Sequence, residues 1–225
     1  MSDAAPLAAT GAAAPATRRD RALAAADLLL LASFFLSGAS ALAYQVGWQR
    51  ALYAQIGVDV DSITIIVSVF MLGIGIGGMA GGWLADRLPR LRLQLYAGIE
   101  FSIGAFGLCS LGLLPWLVQL LGSGSGGAGP SIAACFLFLL VPTVLMGMTL
   151  PLLTIAFDER RRNIGVSVGT LYFTNTMGAA LGAALVPLYL LPHWTLPEVV
   201  RMAAFGNFAV IACIAAAVFA TRSRA

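Results

Sequence analysis

The sequence predicts an all-α, polytopic membrane helix bundle with about six transmembrane helices. Two observations lead to this prediction, the overall composition and the spacing of the apolar runs. Hydrophobic residues make up 60% of the 225-residue chain and charged residues only 10%, and the mean hydropathy is +0.91. A soluble domain typically carries about 25% charged residues. A chain this apolar cannot cover a water-facing surface, so we expect lipid to be its main solvent.

Six apolar runs follow one another, each long enough to cross a hydrocarbon core of about 30 Å, which takes about 20 helical residues. They cover residues 28–50, 63–84, 93–121, 132–157, 166–190 and 199–220. Residues 1–26, rich in Ala, Pro and Thr, are predicted to form a disordered cytoplasmic tail. The Gly/Ser segment 122–130 is predicted to be a flexible link. It divides the bundle into a first three-helix unit, 27–121, and a second, 131–225.

Arginine placement predicts the orientation of the bundle, because short segments rich in Lys and Arg stay on the cytoplasmic side. All 13 basic residues are arginine. With the N-terminus inside, all of them except Arg50 and Arg201 fall on the cytoplasmic side. We therefore expect a multi-pass protein of the cell (inner) membrane with both termini in the cytoplasm. Because the basic residues lie between apolar spans and not on one surface, we expect no nucleic-acid partner.

Three glycines recur at four-residue spacing in the second apolar run, at positions Gly73, Gly77 and Gly81. Glycines at this spacing form a flat stripe on a helix and let another helix approach closely. We interpret the stripe as a helix-packing surface. The alternative is a sliding surface in a transporter that changes conformation.

An acidic residue, Glu100, interrupts the third apolar run eight residues past Arg92. At a rise of 1.5 Å per residue, it lies about 12 Å into the span. A carboxylate at that depth is costly unless it is paired, protonated or facing a water-filled cavity, so Glu100 is a candidate for a substrate path. The alternative is a structural hydrogen bond to a neighbouring helix.

Further polar side chains lie in the fifth and first runs. Asn175 shares a helix face with Tyr172, and either lines a substrate path or makes an interhelical hydrogen bond. Gln45 lies deeper than the interfacial residues that end the first run, which places it towards a cavity, and Tyr44 adjoins it. Together with Glu100, these four residues are the candidate lining of a substrate path.

The turn at residues 82–90, GWLADRLPR, resembles the G-x-L-a-D-R-x-x-R motif between the second and third helices of the major facilitator superfamily (MFS). Its Asp86, Arg87 and Arg90 fall at a cytoplasmic turn in the predicted orientation. The resemblance implies that these three residues stabilise one state of a conformational cycle.

Four longer segments resemble the MFS-like membrane domain that is fused to spermidine synthases. They are FLSGASALAYQVGWQR (35–50), FMLGIGIGGMAGGWLADR (70–87), PTVLMGMTLPLL (142–153) and GTLYFTNTMGAALGA (169–183). The resemblance covers about residues 30–190 and implies an MFS-like half with a 3+3 arrangement of helices. In the fused proteins a soluble aminopropyltransferase domain follows the membrane part. This sequence contains no such domain, so we expect that the chain itself is not an enzyme.

Two functional hypotheses follow. The first is a transport-related protein, an MFS-like half that pairs with itself or a second membrane half and acts on a small polar or cationic solute. The second is a non-transporting membrane anchor or partner of a separate, soluble aminopropyltransferase of the spermidine synthase type. An intramembrane enzyme is disfavoured, because the apolar runs hold no Ser/His pair and no paired aspartates. With one histidine and three separated cysteines, we expect no metal and no cofactor.

Overall fold

The computed structural model describes residues 17–56, 60–122 and 129–222. Within those ranges the chain is helical nearly throughout, and six helices are long and apolar enough to cross a membrane. They are α1 (Arg18–Ile56), α2 (Val60–Arg87), α3 (Arg92–Gly122), α4 (Gly129–Arg161), α5 (Ile164–Leu185) and α6 (Leu196–Arg222). The predicted all-α bundle with about six transmembrane helices is confirmed.

The first helix begins at Arg18, inside the segment 1–26 that we predicted to be a tail. Thr17 and Asp20 explain the early start, because each caps the other. The Thr17 amide donates to Asp20 Oδ2 at 2.9 Å, and the Asp20 amide donates to Thr17 Oγ1 at 3.2 Å. This reciprocal cap satisfies amides that the first helical turn leaves without partners. Residues 1–16 of the predicted tail and 123–128 of the predicted link lie outside the described residues.

Helices of the two predicted three-helix units pack against one another in the bundle. The first helix packs against both α5 and α6, α2 packs against α4, and α3 packs against α4 and α6. Trp48 on α1 is fully buried, and its ring meets those of Phe106 on α3 and Phe138 on α4 edge-on. Aromatic rings in this geometry contribute packing energy beyond the area that they bury. The core is therefore shared between the two halves of the sequence.

Glycine residues allow α2 and α4 to approach each other closely. A Cβ atom added to Gly73, Gly77 or Gly81 would overlap atoms of α4, and one added to Gly147 would overlap the backbone of α2. A Cβ atom added to Gly78 would meet open space instead. The Gly73–Gly77–Gly81 stripe thus lies at a close helix–helix contact. Sliding along this contact remains a prediction.

The fifth helix ends in a π turn, Val186–Leu190, followed by the short turn Leu191–His193. The amide of Leu191 donates to the carbonyl of Val186, five residues back. Pro187 has no backbone N–H and cannot continue the regular ladder of hydrogen bonds, which accounts for the wider turn. The fifth predicted run, which extends to residue 190, is therefore helical to its end, but its hydrogen-bonding pattern changes from α to π after Leu185.

The α4–α5 turn is tight. Arg162 has φ of 52°, in the left-handed region that commonly ends a helix, and its amide donates to the Asp158 carbonyl at 2.8 Å. The Asn163 side chain then caps α5 by accepting from the Val166 amide at 3.2 Å. This geometry brings the Ser167 hydroxyl to the Asp158 carboxylate, at 2.9 Å.

Candidate functional site

Glu100 lies fully buried where α1, α3 and α6 meet. The Ser37 hydroxyl on α1 donates to Glu100 Oε1 at 2.6 Å, and the Asn207 amide nitrogen on α6 donates to Oε2 at 2.6 Å. We refer to Ser37, Glu100 and Asn207 as the carboxylate seam. Within the described residues no arginine pairs with this carboxylate, so its two oxygens are held by neutral donors from two different helices.

Three further polar atoms are buried on the same sides of α1, α3 and α6. The Tyr44 hydroxyl and the amide oxygen of Asn207 have no hydrogen-bond partner among the described residues, and the Tyr96 hydroxyl lies beside Ser33, Ser37 and Glu100. Tyr96 precedes Glu100 by one turn of α3, and Tyr44 follows Ser37 by two turns of α1. An unpaired buried polar group costs about 1–3 kcal/mol, so such groups are rare in packed cores. Their clustering marks the surroundings of Glu100 as a polar site.

Small residues allow the helices to close around this site. Ser33, Ser37 and Ser40 recur along one side of α1, and all three are buried. A Cβ atom added to Gly206 on α6 would overlap the Ser40 hydroxyl, which shows how closely the two helices approach. We did not single out Ser37 or Asn207 from the sequence. The serine spacing on α1 is a signal that could have identified Ser37.

A second group of polar residues lies along the edge of the α1–α5 contact. Asn175 is half-buried, and its amide nitrogen donates to the Phe34 carbonyl at 3.1 Å. Tyr172, one turn earlier, is 62% exposed. Gln45 is half-buried and lies seven residues after Gly38, whose Cα faces the Asn175 backbone. Residues seven apart share a helix face, so Gln45 and Asn175 border the same side of α1. We refer to Gln45, Tyr172 and Asn175 as the polar face.

Glycines also fix the distance between α1 and α5. Cβ atoms added to Gly178 and Gly182 would overlap the carbonyl oxygens of Phe35 and Ala39. Backbone-to-backbone contact of this kind leaves no room for side chains between the helices. The side chain of Asn175, one turn before Gly178, therefore lies at the edge of a close helix–helix contact.

The structure places the five candidate path residues in two separate regions. Glu100 and Tyr44 are buried on the side of α1 that faces α3. Gln45, Tyr172 and Asn175 lie on the polar face. Ser37 on α1 contacts Glu100, and the next residue, Gly38, faces Asn175. Because one residue step turns a helix by about 100°, the two regions lie on different sides of α1.

The residues of the MFS-like turn are exposed. Asp86, Arg87 and Arg90 all reach the surface, and the Arg87 guanidinium lies over the Trp83 ring, 5.4 Å from its centroid. Within the described residues Asp86 forms no ion pair with either arginine. Their role in a conformational cycle remains a prediction.

A neighbouring arginine makes the firmer connection at this end of the bundle. Arg92 donates through Nε to the Ala85 carbonyl at 2.8 Å and forms an ion pair with Glu159 on α4. The Arg92 side chain is only 11% exposed. A second ion pair joins Arg161 on α4 to Asp27 on α1, at 3.3 Å. These contacts tie the ends of α1, α2, α3 and α4, and we did not identify the pairs from the sequence.

The described residues contain no group of three or more His, Cys, Asp or Glu side chains that could hold a metal ion. The three cysteines, Cys109, Cys135 and Cys213, are separate and unpaired. The polar atoms of the carboxylate seam and the polar face are hydroxyl, amide and carboxylate groups. Such groups donate and accept hydrogen bonds.

Comparison with known proteins gives partial similarities. No family model matches the chain, and no solved structure matches it. Polyamine aminopropyltransferase 2 of Streptomyces coelicolor is 31% identical over 168 residues, which are 73% of this chain and 29% of that protein. Polyamine aminopropyltransferase 1 of the same organism is 27% identical over 169 residues, 74% of this chain and 30% of the relative.

A third similarity is to the membrane sensor protein UhpC of Salmonella typhimurium, 30% identical over 170 residues, 71% of this chain and 32% of the sensor. The chain thus spans less than a third of the length of each of these curated relatives. The chain is a multi-pass helical membrane protein, and its sequence is MFS-like in the region that it shares with the sensor. Its sequence is also similar to part of the two aminopropyltransferases.

Proposed function

We propose that this protein is one half of a transport-related membrane assembly. A second six-helix half, either another copy of this chain or a different one, covers the polar face. The two halves enclose a path for a small polar or cationic solute. The observation that supports this most directly is the depth of Tyr172 and Asn175 on the polar face, where their side chains are partly exposed near the middle of a membrane span.

The depths follow from the helix geometry. Tyr172 and Asn175 lie eight and eleven residues into α5. At 1.5 Å per residue these are depths of about 12 and 16 Å in a hydrocarbon core of about 30 Å. Lipid chains offer no hydrogen bonds, so polar side chains at this depth face protein or a water-filled cavity. A second half supplies the protein contact and encloses the water-filled cavity.

The exposure of α5 points in the same direction. Of the six spans found in the described residues, the one that contains α5 is the least buried, at 17% against 28–44% for the others. Tyr172, Phe173 and Met177 on α5 are all exposed. The helix that carries two of the three polar-face residues is thus the one with most surface left for a partner.

The chemistry of the polar face suits a polar or cationic solute. Because the Asn175 amide nitrogen is held by Phe34, the amide oxygen is the atom that Asn175 offers to a solute. Gln45 offers a second amide, and the Tyr172 ring offers a face that attracts cations. The names of the two Streptomyces relatives refer to polyamines, which are cationic, and this supports a cationic solute.

The orientation proposed from the arginines completes the assembly. With both termini in the cytoplasm of a cell (inner) membrane, Arg92, Glu159, Arg161 and Asp27 form their ion pairs at the cytoplasmic end. Contacts at that end hold the halves of the sequence together while the polar face stays open to the partner.

The first test is the mass of the full chain purified in lipid nanodiscs, with co-purifying proteins identified by mass spectrometry. We expect a dimer or a complex with a second six-helix chain. The same preparation, reconstituted into vesicles, is then assayed for uptake of a panel of amines and neutral polar solutes. A strict monomer that neither binds nor moves any of them contradicts the proposal.

Two further outcomes would redirect the interpretation. A stable complex with a soluble aminopropyltransferase, without uptake, would favour the membrane anchor. Saturable solute binding without uptake would favour a sensor, the role that the name of UhpC gives to that relative. The measurement therefore separates the three roles.

A further inference from the structure

Two adjoining grooves run along the outside of the bundle between α3 and α6, on the side away from α5. The first has a volume of about 510 Å³, and its lining includes Leu93, Gln94, Ala97, Ile211, Ala215 and Val218. The second, of about 580 Å³, lies at the arginine-rich end and includes Arg90, Arg92 and Glu159 in its lining. Leu93, Gln94 and Val218 line both, so the two form one continuous surface.

The polarity of this surface changes along its length. The long part is apolar apart from Gln94. At the other end, Arg92 is occupied by Glu159 and by the Ala85 carbonyl. Arg90 lines the same end, is exposed, and forms no ion pair within the described residues. The end of the groove therefore carries one uncompensated positive charge.

The change in polarity falls at the edge of the membrane span. The apolar span of α3 begins at Pro89, which puts Arg90 and Gln94 in its first turns. Ile211 lies ten residues before Thr221, where the apolar span of α6 ends. Ten residues correspond to about 15 Å, so the groove runs from the headgroup level to the middle of the bilayer.

We propose that this groove binds an anionic phospholipid. One acyl chain lies between α3 and α6 against Ala97, Ile211 and Ala215. The phosphate group lies at the arginine-rich end, where Arg90 supplies a charge-assisted hydrogen bond and the Gln94 amide supplies a second donor. Basic pockets at the ends of membrane helices suit anionic headgroups in this way. A zwitterionic lipid brings its own cation and gains less from Arg90.

The α3–α6 groove and the polar face lie on different sides of the bundle, because α5 packs against α1 and α4 whereas α3 and α6 form the long part of the groove. Lipid binding there is therefore independent of the proposed solute path, and either proposal can fail without the other. The lipid fills the groove between the cytoplasmic halves of α3 and α6 in the proposed orientation.

Native mass spectrometry of the full chain, released from nanodiscs of equal phosphatidylglycerol and phosphatidylcholine, tests the proposal. We expect one phosphatidylglycerol molecule to be retained in preference to phosphatidylcholine. In Arg90→Gln, the preference falls about fivefold, as expected for the loss of one arginine at the membrane surface. The matched control is Arg87→Gln, which removes the same charge from the same turn, where Arg87 lies over Trp83 outside the groove. This control retains the preference.

A second variant tests the apolar part. Ala215→Phe fills the groove without changing charge, and Ala216→Phe, also exposed on α6 but absent from the lining, is its control. We expect retention of both lipids to fall in Ala215→Phe only. Equal retention of the two lipids by the unaltered protein overturns the proposal, as does equal loss in the two arginine variants. A protein chain that occupies the groove in place of lipid overturns it as well.

Discussion

The first helix carries polar groups on two sides, and the two sides differ in how those groups are satisfied. On the side facing α3 and α6, Glu100 is fully buried and each carboxylate oxygen accepts a hydrogen bond from another helix. On the side facing α5, Asn175 makes one hydrogen bond to backbone and Tyr172 is 62% exposed. Both oxygens of the Glu100 carboxylate are thus hydrogen-bonded within this chain, whereas the polar face remains partly exposed.

This difference in hydrogen bonding bears on the role of the buried acid, Glu100. A carboxylate in a membrane span is usually a candidate functional residue, because placing a charged side chain in the bilayer core costs free energy. In this bundle Ser37 and Asn207 meet that cost, and the seam lies away from the polar face. Glu100 therefore holds α1, α3 and α6 together, and the half-satisfied polar face is the better candidate for contact with a solute.

The largest effect that separates the two regions is expected from Glu100→Ala. It leaves Ser37 and Asn207 without their acceptor in a buried site, at about 1–3 kcal/mol for each group, so we expect a loss of about 2–6 kcal/mol. Glu100→Gln is expected to lose less, because its amide can still accept from Ser37 and can donate to the free oxygen of Asn207. Reversible unfolding in mixed micelles measures both. Equal losses in the two variants would contradict the hydrogen-bonded seam.

A smaller effect is expected from closing the gap between α1 and α5. In Gly178→Val the new side chain would overlap the Phe35 carbonyl, and overpacking of this kind typically costs about 1–3 kcal/mol. Gly169→Val is the matched control on the same helix, because a Cβ atom there meets open space. The same unfolding measurement applies. If both variants lost equal stability, helix propensity and not helix contact would explain the change.

The smallest change in stability is expected from Asn175→Ala. One interhelical hydrogen bond in a membrane contributes about 0.6 kcal/mol on average. Solute uptake, in contrast, is expected to fall about three- to tenfold, the effect of one lost hydrogen bond. Thr174→Ala is the control, because the Thr174 hydroxyl bonds within its own helix, to the Thr170 carbonyl at 2.8 Å. Unchanged uptake in Asn175→Ala would remove this residue from the path.

The helices could be predicted from the sequence, because a membrane span is a local property of about 20 residues. The start of α1 was missed although its cause is also local, the reciprocal cap between Thr17 and Asp20. The π turn at the end of α5 follows from Pro187, but a proline kinks or ends a helix in several ways, and the sequence did not select this one.

The candidate site was only half predictable. Glu100 stands out as an acid in an apolar run, but its partners are 63 and 107 positions away along the chain. Only the packing of α1 and α6 against α3 brings them together. The same holds for Arg92 and Glu159, which are 67 positions apart. The exposure of individual side chains could not be predicted from the sequence either, since Asn175 and Tyr172 share a helix face and yet differ in exposure.

The central claim, that the polar face meets water or protein and not lipid, is tested most directly by thiol accessibility. Tyr172→Cys and Phe101→Cys are made in a variant in which Cys109, Cys135 and Cys213 are replaced by alanine. The two positions are matched in exposure, 62% and 58%, and lie at similar depths, eight residues into α5 and nine into α3.

Each variant is reacted with a water-soluble maleimide in native membranes, because the thiolate that reacts forms only where water reaches the thiol. We expect Tyr172→Cys to be labelled, and addition of an accepted solute to slow its labelling. Phe101 packs near Phe208, on a side of α3 that we expect to face lipid. Phe101→Cys should therefore remain unlabelled. Equal labelling of both positions, or labelling of Phe101→Cys alone, would contradict the account.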